Sequence, residues 1–341
     1  MPLSQSNSSK VDLSKFGFHI PELMPDEFFS GYFGRFSIIN SYLSMTEARL
    51  SLRNKLRRIY PELTTVPAIW AIAQIYEVDV DILIQQNTLM PLLSRISKPA
   101  TMSQINKTKA VINLIKRRGV GIIKDHPCLC ENCVIEDISY WGFSYWRRSH
   151  QLPGVDWCTK HNSTLIEADD IDAFSNQPAW FMAKGPDKLQ SDEPIELSPL
   201  LQRYAQLIQD ACEIDFVLEH KILKKLLMKA FIKKRGAGHY WRIFDGLEQL
   251  MGSEFPVAWV QKHFPKLVST YQNDGLTSYN NILECNSAYT QLTNYMLMTA
   301  LLYDDADEAM FAISRLHLDK LSVYFPNLEF PVKQSTNVFH P

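Results

Sequence analysis

The sequence predicts a mainly α protein in which two helical, helix-turn-helix-like domains are separated by a small zinc-finger or zinc-ribbon module. Three observations carry that expectation. Strand-like alternation of apolar and polar residues is scarce outside one cysteine-rich stretch. From Ser198 to about Tyr324, apolar residues recur at helical spacing. Four of the six cysteines crowd into the segment from His126 to His161, "HPCLCENCVIEDISYWGFSYWRRSHQLPGVDWCTKH". The implied order is a polar tail at 1–20, a helical domain at 21–125, the cysteine module at 126–168 and an acidic linker at 169–197. A second helical domain follows at 198–330, with a tail at 331–341.

The first domain opens with "PELMPDEFFSGYFGRFSIINSYLS", where Pro and acidic residues mark a helix start. "TEARLSLRNKLRRIYPEL" reads as a second helix that offers Arg49, Arg53, Arg57 and Arg58 to one side. "VPAIWAIAQIYEVDVDILIQQNT" reads as two short helices joined tightly, with Tyr76 and Val78 at the turn. That pattern suits a helix-turn-helix or a plain helical hairpin, and the glycine common at such a turn is missing. "SQINKTKAVINLIKRRG" offers a further short helix. After the cysteines, "EADDIDAFSNQPAWFMAKGPDKLQSDEPIEL" reads as a linker with room for one short helix. Phe216 to Lys234 forms one long helix, and the proline-containing end, "FPNLEFPVKQSTNVFHP", lies extended.

Hydrophobic residues make up 46% and charged residues 21% of the 341. That is the balance of an ordinary globular chain and not of a disordered one. The opening "MPLSQSNSSKVDLSK" lacks the apolar core of a secretory signal. No apolar run approaches the roughly 18 to 20 residues that span a bilayer. The expectation is therefore a cytoplasmic protein with no membrane partner. In that reducing setting, clustered cysteines read as metal ligands and not as disulfides. Cys212 and Cys285 stand alone in helical surroundings and read as buried core thiols.

Cys130 and Cys133 form a C-x2-C knuckle, and Cys158 with His161 forms C-x2-H across a loop of 24 residues. Two such pairs supply the four ligands of a closed, tetrahedral, structural Zn2+ site, one per chain. Cys128 offers an alternative first ligand at C-x4-C spacing, although the two-residue spacing is the tighter knuckle. His126 and His150 are weaker candidates. A hydrolytic zinc would keep a position open for water, whereas here four protein ligands already stand in pairs. The motifs of a zinc deaminase, a zinc protease, a phosphate loop, a nucleophile elbow and a dinucleotide-binding turn are all missing. The expectation is a protein without catalytic residues. Between the ligands, Trp141, Tyr145 and Trp146 read as the small core that such a module needs. Arg147 and Arg148 suit either a solvated surface or a nucleic-acid or partner contact.

These residues carry a resemblance. Cys130-x2-Cys133-x3-Asp137, then "YWGFSYWRRSHQLPGVDWCTKHNSTLI", resembles the zinc-finger segment of the TniQ/TnsD family of transposition target-selection proteins. His150, Gln151, Leu152, Pro153, Gly154 and Val155 match that pattern in order, as do Cys158, His161 and Leu165. Glu131 stands where the family usually has Pro. "PDEFFSGYFGRF" resembles the family's N-terminal opening, with Glu27 and Arg35 in place but Gly31 where Ser is common. The resemblance covers about residues 21 to 265. It implies a nucleoid-associated, non-catalytic adaptor that marks where a transposon inserts. Members bind an attachment-site DNA or dock on a CRISPR-guided effector complex with its guide RNA, and they recruit the AAA+ regulator of the transposase. The RNA-guided members are the shorter ones and act as homodimers, and a chain of 341 residues suits that group.

Between Phe216 and Arg242 there are eight cations, Lys221, Lys224, Lys225, Lys229, Lys233, Lys234, Arg235 and Arg242, against Glu219 alone. Lys221, Lys225, Lys229 and Lys233 share one helical face, while Ile222, Leu226 and Phe231 can face the core. The face reads either as a solvated surface or as a contact with phosphates of DNA or guide RNA. Downstream, Gln261, Lys262 and His263 suit the outward side of a second recognition helix.

Overall fold

The computed structural model describes residues 17–59, 68–94, 124, 126–170, 172–185, 189–190, 197–214, 216, 218, 220–235, 254–264 and 292–324. The helix expected in "SQINKTKAVINLIKRRG", the thiol of Cys285, the guanidinium of Arg242 and the C-terminal end lie outside the described residues. The helices are α1 (Phe29–Ile39), α2 (Met45–Ile59), α3 (Ala68–Ile75), α4 (Val80–Asn87), α5 (Met90–Ser94) and α6 (Glu131–Trp141). They continue as α7 (Pro178–Lys184), α8 (Pro199–Glu213), α9 (His220–Arg235), α10 (Val257–His263), α11 (Leu292–Leu302) and α12 (Ala306–Tyr324). Strands are short: β1 (Cys128–Leu129), β2 (Trp157–Cys158), β3 (Ser163–Thr164), β4 (Ile166–Ala168) and β5 (Leu189–Gln190). No described helix is long and apolar enough to cross a membrane.

α1 is buried from Phe29 to Ser37 because it is enclosed on several sides. Phe29, Tyr32, Phe33 and Phe36 pack against Leu52 and Leu56 of α2 and Ile72 of α3. α2 buries Ala48, Leu52 and Leu56, a stripe of four-residue spacing that leaves Arg49, Arg57 and Arg58 outside. The hairpin between α3 and α4 turns through Glu77, whose φ of 53° supplies the left-handed residue without a glycine. Asp79 then caps α4 by accepting from the Asp81 amide at 3.0 Å. α4 packs on α8, and Gln85 Nε2 donates to the carbonyls of Cys212 and Ile214 at 2.6 and 3.2 Å.

The cysteine module holds two small antiparallel sheets. β1, β4 and β5 form one, with Cys128 opposite Glu167 and Ala168 opposite Leu189; β2 and β3 form the other. The stretch expected as an acidic linker is thus packed into the body. Its β5 extends the module's sheet, Phe174 and Phe181 are buried, and their rings sit 5.4 and 5.7 Å from that of Trp146. The apolar residues of that stretch outweigh its acids. Close packing here demands Gly34, since a Cβ would lie 1.8 Å from the Phe174 carbonyl oxygen.

The C-terminal helices form the larger core. α8 turns Leu201, Tyr204 and Ile208 inward, and α9 adds Leu223, Leu227 and Phe231. α11 is buried on every side, as a central helix must be when apolar all round. This core is continuous with Phe28 before α1 and with Trp146, Leu152, Val155 and Trp157 of the cysteine module. Cys212 is a buried thiol within it, in no disulfide.

Candidate metal centre and the surfaces around it

Cys130 takes an extended conformation and caps α6, which places Cys133 one turn inside the helix. Cys158 ends β2, and the chain returns to β3 through His161 and the left-handed Asn162, whose amide donates to the Cys158 carbonyl at 2.8 Å. The two knuckles therefore face each other. One ligand atom from each of Cys130, Cys133, Cys158 and His161 lies within 4.8 Å of the others. Cys133 Sγ is 3.7 Å from Cys158 Sγ, and His161 Nδ1 is 3.4, 3.3 and 3.5 Å from the sulfurs of Cys130, Cys133 and Cys158. Zinc bonds of about 2.3 Å to sulfur and about 2.0 Å to nitrogen give tetrahedral edges of about 3.8 and 3.5 Å. The donor set fits such an ion in both chemistry and spacing.

Around the ligands, His161 Nε2 pairs with Glu136 Oε1 at 2.9 Å, and Lys160 holds the other oxygen of Glu136. A carboxylate behind the imidazole fixes the ring so that Nδ1 faces the sulfurs. Sequence reasoning missed Glu136, although its place three residues after Cys133 on one helix was a usable signal. Cys128 stays outside the cluster: its sulfur meets Lys124 Nζ at 3.3 Å, and burial pushes its thiol up. His126 also lies outside, 3.9 Å from Asp169. His150 is buried beside Cys133, with Nε2 3.8 Å from the sulfur, and burial pushes it down to about 3, so the ring is neutral.

The segment His150 to Val155 joins this centre to the rest of the chain. Gln151 uses its side-chain amide like a strand edge, donating to the Cys128 carbonyl at 2.8 Å and accepting from the Cys128 amide at 2.9 Å. Pro153 and Gly154 offer their carbonyls to Tyr204 Oη and Trp259 Nε1 at 3.0 and 3.1 Å. Gly154 has a φ of 72°, and a Cβ there would press to 2.8 Å from Tyr204 Cε1. Next to it, Asp156 meets His263 Nε2 at 2.6 Å. Burial works to raise the Asp156 carboxyl, yet His263 takes it below its usual range. His263, expected to face outward, turns in to this pair, whereas Gln261 is exposed and Lys262 pairs with Glu167. Tyr204 and Trp259 carried no signal in the sequence, because their partners lie far away along the chain.

The arginines of the module are engaged internally. Arg147 pairs with Asp137 at 2.6 Å, and the cost of burying that carboxylate raises its pKa even so. Arg148 is buried, donates to the Gln85 carbonyl at 2.7 Å and pairs with Asp26 and Glu213. Their guanidinium groups are thus held by carboxylates of the chain itself. They flank an open cleft of about 810 Å3 that also carries Asp26, Glu213 and Lys160. Its charges are mixed and largely paired, so it is not a channel for a polyanion. Trp146 and Tyr145 are buried as expected, but Trp141 is 44% exposed on the outer side of α6.

On α9, Lys225, Lys229 and Lys233 are exposed as the spacing predicts, while Leu226 and Phe231 are buried and Ile222 partly so. The acids that the local sequence lacks come from elsewhere. Glu308 and Asp304 lie 3.4 and 3.1 Å from Lys233 and Lys234. Lys221 and Arg235 belong to the same helix.

Helices are thus fastened to a compact Cys3His module whose arginines are engaged in internal ion pairs. Residues 19–165 match the TniQ family model, so this part of the chain is a TniQ domain. A TniQ domain implies a transposition-associated role in target selection. The match contains all four clustered ligands and ends before α8 and α9. Comparison with the curated proteins returns no match to this chain.

Proposed function

We propose that this chain is a non-catalytic target-site adaptor that docks on an RNA-guided, Cascade-like CRISPR effector complex and recruits a TnsC-like AAA+ regulator. It acts as a homodimer, and Cys130, Cys133, Cys158 and His161 hold one structural Zn2+ per chain. Beyond the TniQ domain, one observation carries this reading over a TnsD-like reader of attachment-site DNA. The hairpin's second helix, α4, is packed against α8 and opens on Asp79 and Asp81. A helix so placed is poorly suited to enter a major groove lined by phosphates. Choice of sequence then falls to a guided partner. Lys221, Lys225, Lys229, Lys233, Arg235 and Arg242 are proposed to meet phosphates of guide RNA or DNA in that assembly.

The test is co-purification with a crRNA-loaded effector, with zinc measured on the same preparation. The expected result is a stable complex with about one zinc per chain. A chain that ignores the effector and footprints a single chromosomal site on its own would establish direct reading in its place.

A further inference from the structure

We infer that α2 is a second nucleic-acid surface, through which the N-terminal domain holds duplex DNA by phosphate contacts alone. The inference rests on the reading of the chain as a DNA-associated adaptor and names the surface and its ligand. α2 carries Arg49, Arg53, Lys55, Arg57 and Arg58 against a single acid, Glu47, in its first turn. Glu47 is itself occupied, accepting from the Leu43 amide at 2.8 Å. Ala48, Leu52 and Leu56 fix the inner face of the helix, so Arg49, Arg57 and Arg58 are exposed and Arg53 lies at the boundary. Among the described residues, no carboxylate pairs with Arg49, Arg53 or Arg58, and Arg53 Nε is buried without an acceptor. Arg49 and Arg53 stand four residues apart, a spacing that only repels itself unless an anion lies alongside.

Other candidate surfaces are less suited. Two of the α9 lysines are already paired, Lys233 with Glu308 of α12 and Lys234 with Asp304 just before it, and α4 presents two aspartates. The nature of the exposed face also selects the ligand. Beside the arginines stands Leu50, aliphatic and 45% exposed, and the helix contains no aromatic ring on which a base of a single strand could stack. Guanidinium forks match phosphate oxygens, and such contacts position a duplex without reading its sequence. Each four-residue step of helix advances about 6 Å, close to two phosphate steps of about 3.4 Å along one strand's axis.

The experiment compares binding of a random-sequence DNA duplex across salt for the wild type and two triple variants. Arg49→Gln, Arg57→Gln, Arg58→Gln should weaken binding at least tenfold at about 0.1 M salt and flatten the log–log salt slope by about 2 to 3. Arg49→Lys, Arg57→Lys, Arg58→Lys should keep most of the slope, since the slope counts the charges and not the forks that carry them. An unchanged slope in the glutamine variant overturns the inference, and so does equal loss in both variants. Tighter binding to an RNA duplex of the same sequence overturns the assignment to DNA. A wild-type chain that binds no duplex at low salt overturns this inference and the direct-DNA role together, while effector co-purification would still stand.

Discussion

Glu27 is fully buried, and two contacts from Arg35, at 2.8 and 2.6 Å, accompany it. Burial raises the Glu27 carboxyl above its usual range, and Arg35 pulls against that shift. Arg35 also donates to the Glu22 carbonyl at 2.7 Å, so one guanidinium ties down the approach to α1. Removing it alone leaves a buried carboxylate with no opposite charge and only the Met24 amide, at 3.1 Å, to donate to it. Arg35→Ala is expected to cost about 3 to 5 kcal/mol, read as a lower urea midpoint at unchanged slope. The paired change Glu27→Leu, Arg35→Met should cost less than Arg35→Ala, because both charges then leave together. A double variant as damaged as the single one would show that packing, not charge, sets the cost. At the same scale, Gly31 marks where the family's serine would not fit: a Cβ would sit 2.7 Å from Trp146 Cβ. Glu27 and Arg35 were legible as positions of a motif, whereas their pairing and the reason for Gly31 were not, since Trp146 approaches Gly31 from 115 positions away.

Among the elements, those set by local periodicity were legible. α2 and α9 fall close to the stretches whose apolar spacing marks them, and the turn between α3 and α4 falls at Tyr76 to Asp79. What periodicity does not reveal is which face a neighbour covers. α4 packs one face against α8, the acidic stretch is held by Phe174 and Phe181, and α9 finds its acids at Asp304 and Glu308, at the start of α12 and just before it. The exposed part of α9 still sets Lys225, Lys229 and Lys233 in a row. Like charges four residues apart cost about 0.2 to 0.5 kcal/mol per pair. Lys229→Glu turns two such repulsions into two attractions, so it should stabilise the chain by about 1 kcal/mol, read as a higher melting temperature. The same change should weaken binding to a nucleic acid or to the guided effector and leave the zinc content untouched. A gain in stability with no loss of affinity would return this face to plain solvation.

For the whole molecule, the decisive fact is that the module is not a bead between two domains. Its Trp146, Leu152, Val155 and Trp157 belong to the core of α8, α9 and α11, and the Phe28 amide donates to the Trp146 carbonyl at 2.7 Å. A buried tryptophan hides about 200 Å2, worth about 5 kcal/mol at about 25 cal/mol per Å2, so Trp146 alone fastens the parts strongly. The ligand pairs were legible because each knuckle is local, two residues between its members. The joint was not, because Tyr204 Oη reaches Pro153 across 51 positions and Trp259 Nε1 reaches Gly154 across 105. Metal and fold are therefore expected to fail together. In finger peptides structural zinc contributes about 10 to 16 kcal/mol of apparent binding energy, as much as the total stability of an ordinary domain. Removing it with a chelator, or by Cys133→Ser, should collapse the four-ligand cluster and release Gly154 and Val155 from the C-terminal core. Fluorescence from Trp259, which packs beside Tyr204, and helix content by circular dichroism should then fall in one coincident transition on heating. Two separated transitions, with the C-terminal helices melting unchanged, would mean that the seam at Pro153 and Gly154 carries no cooperativity.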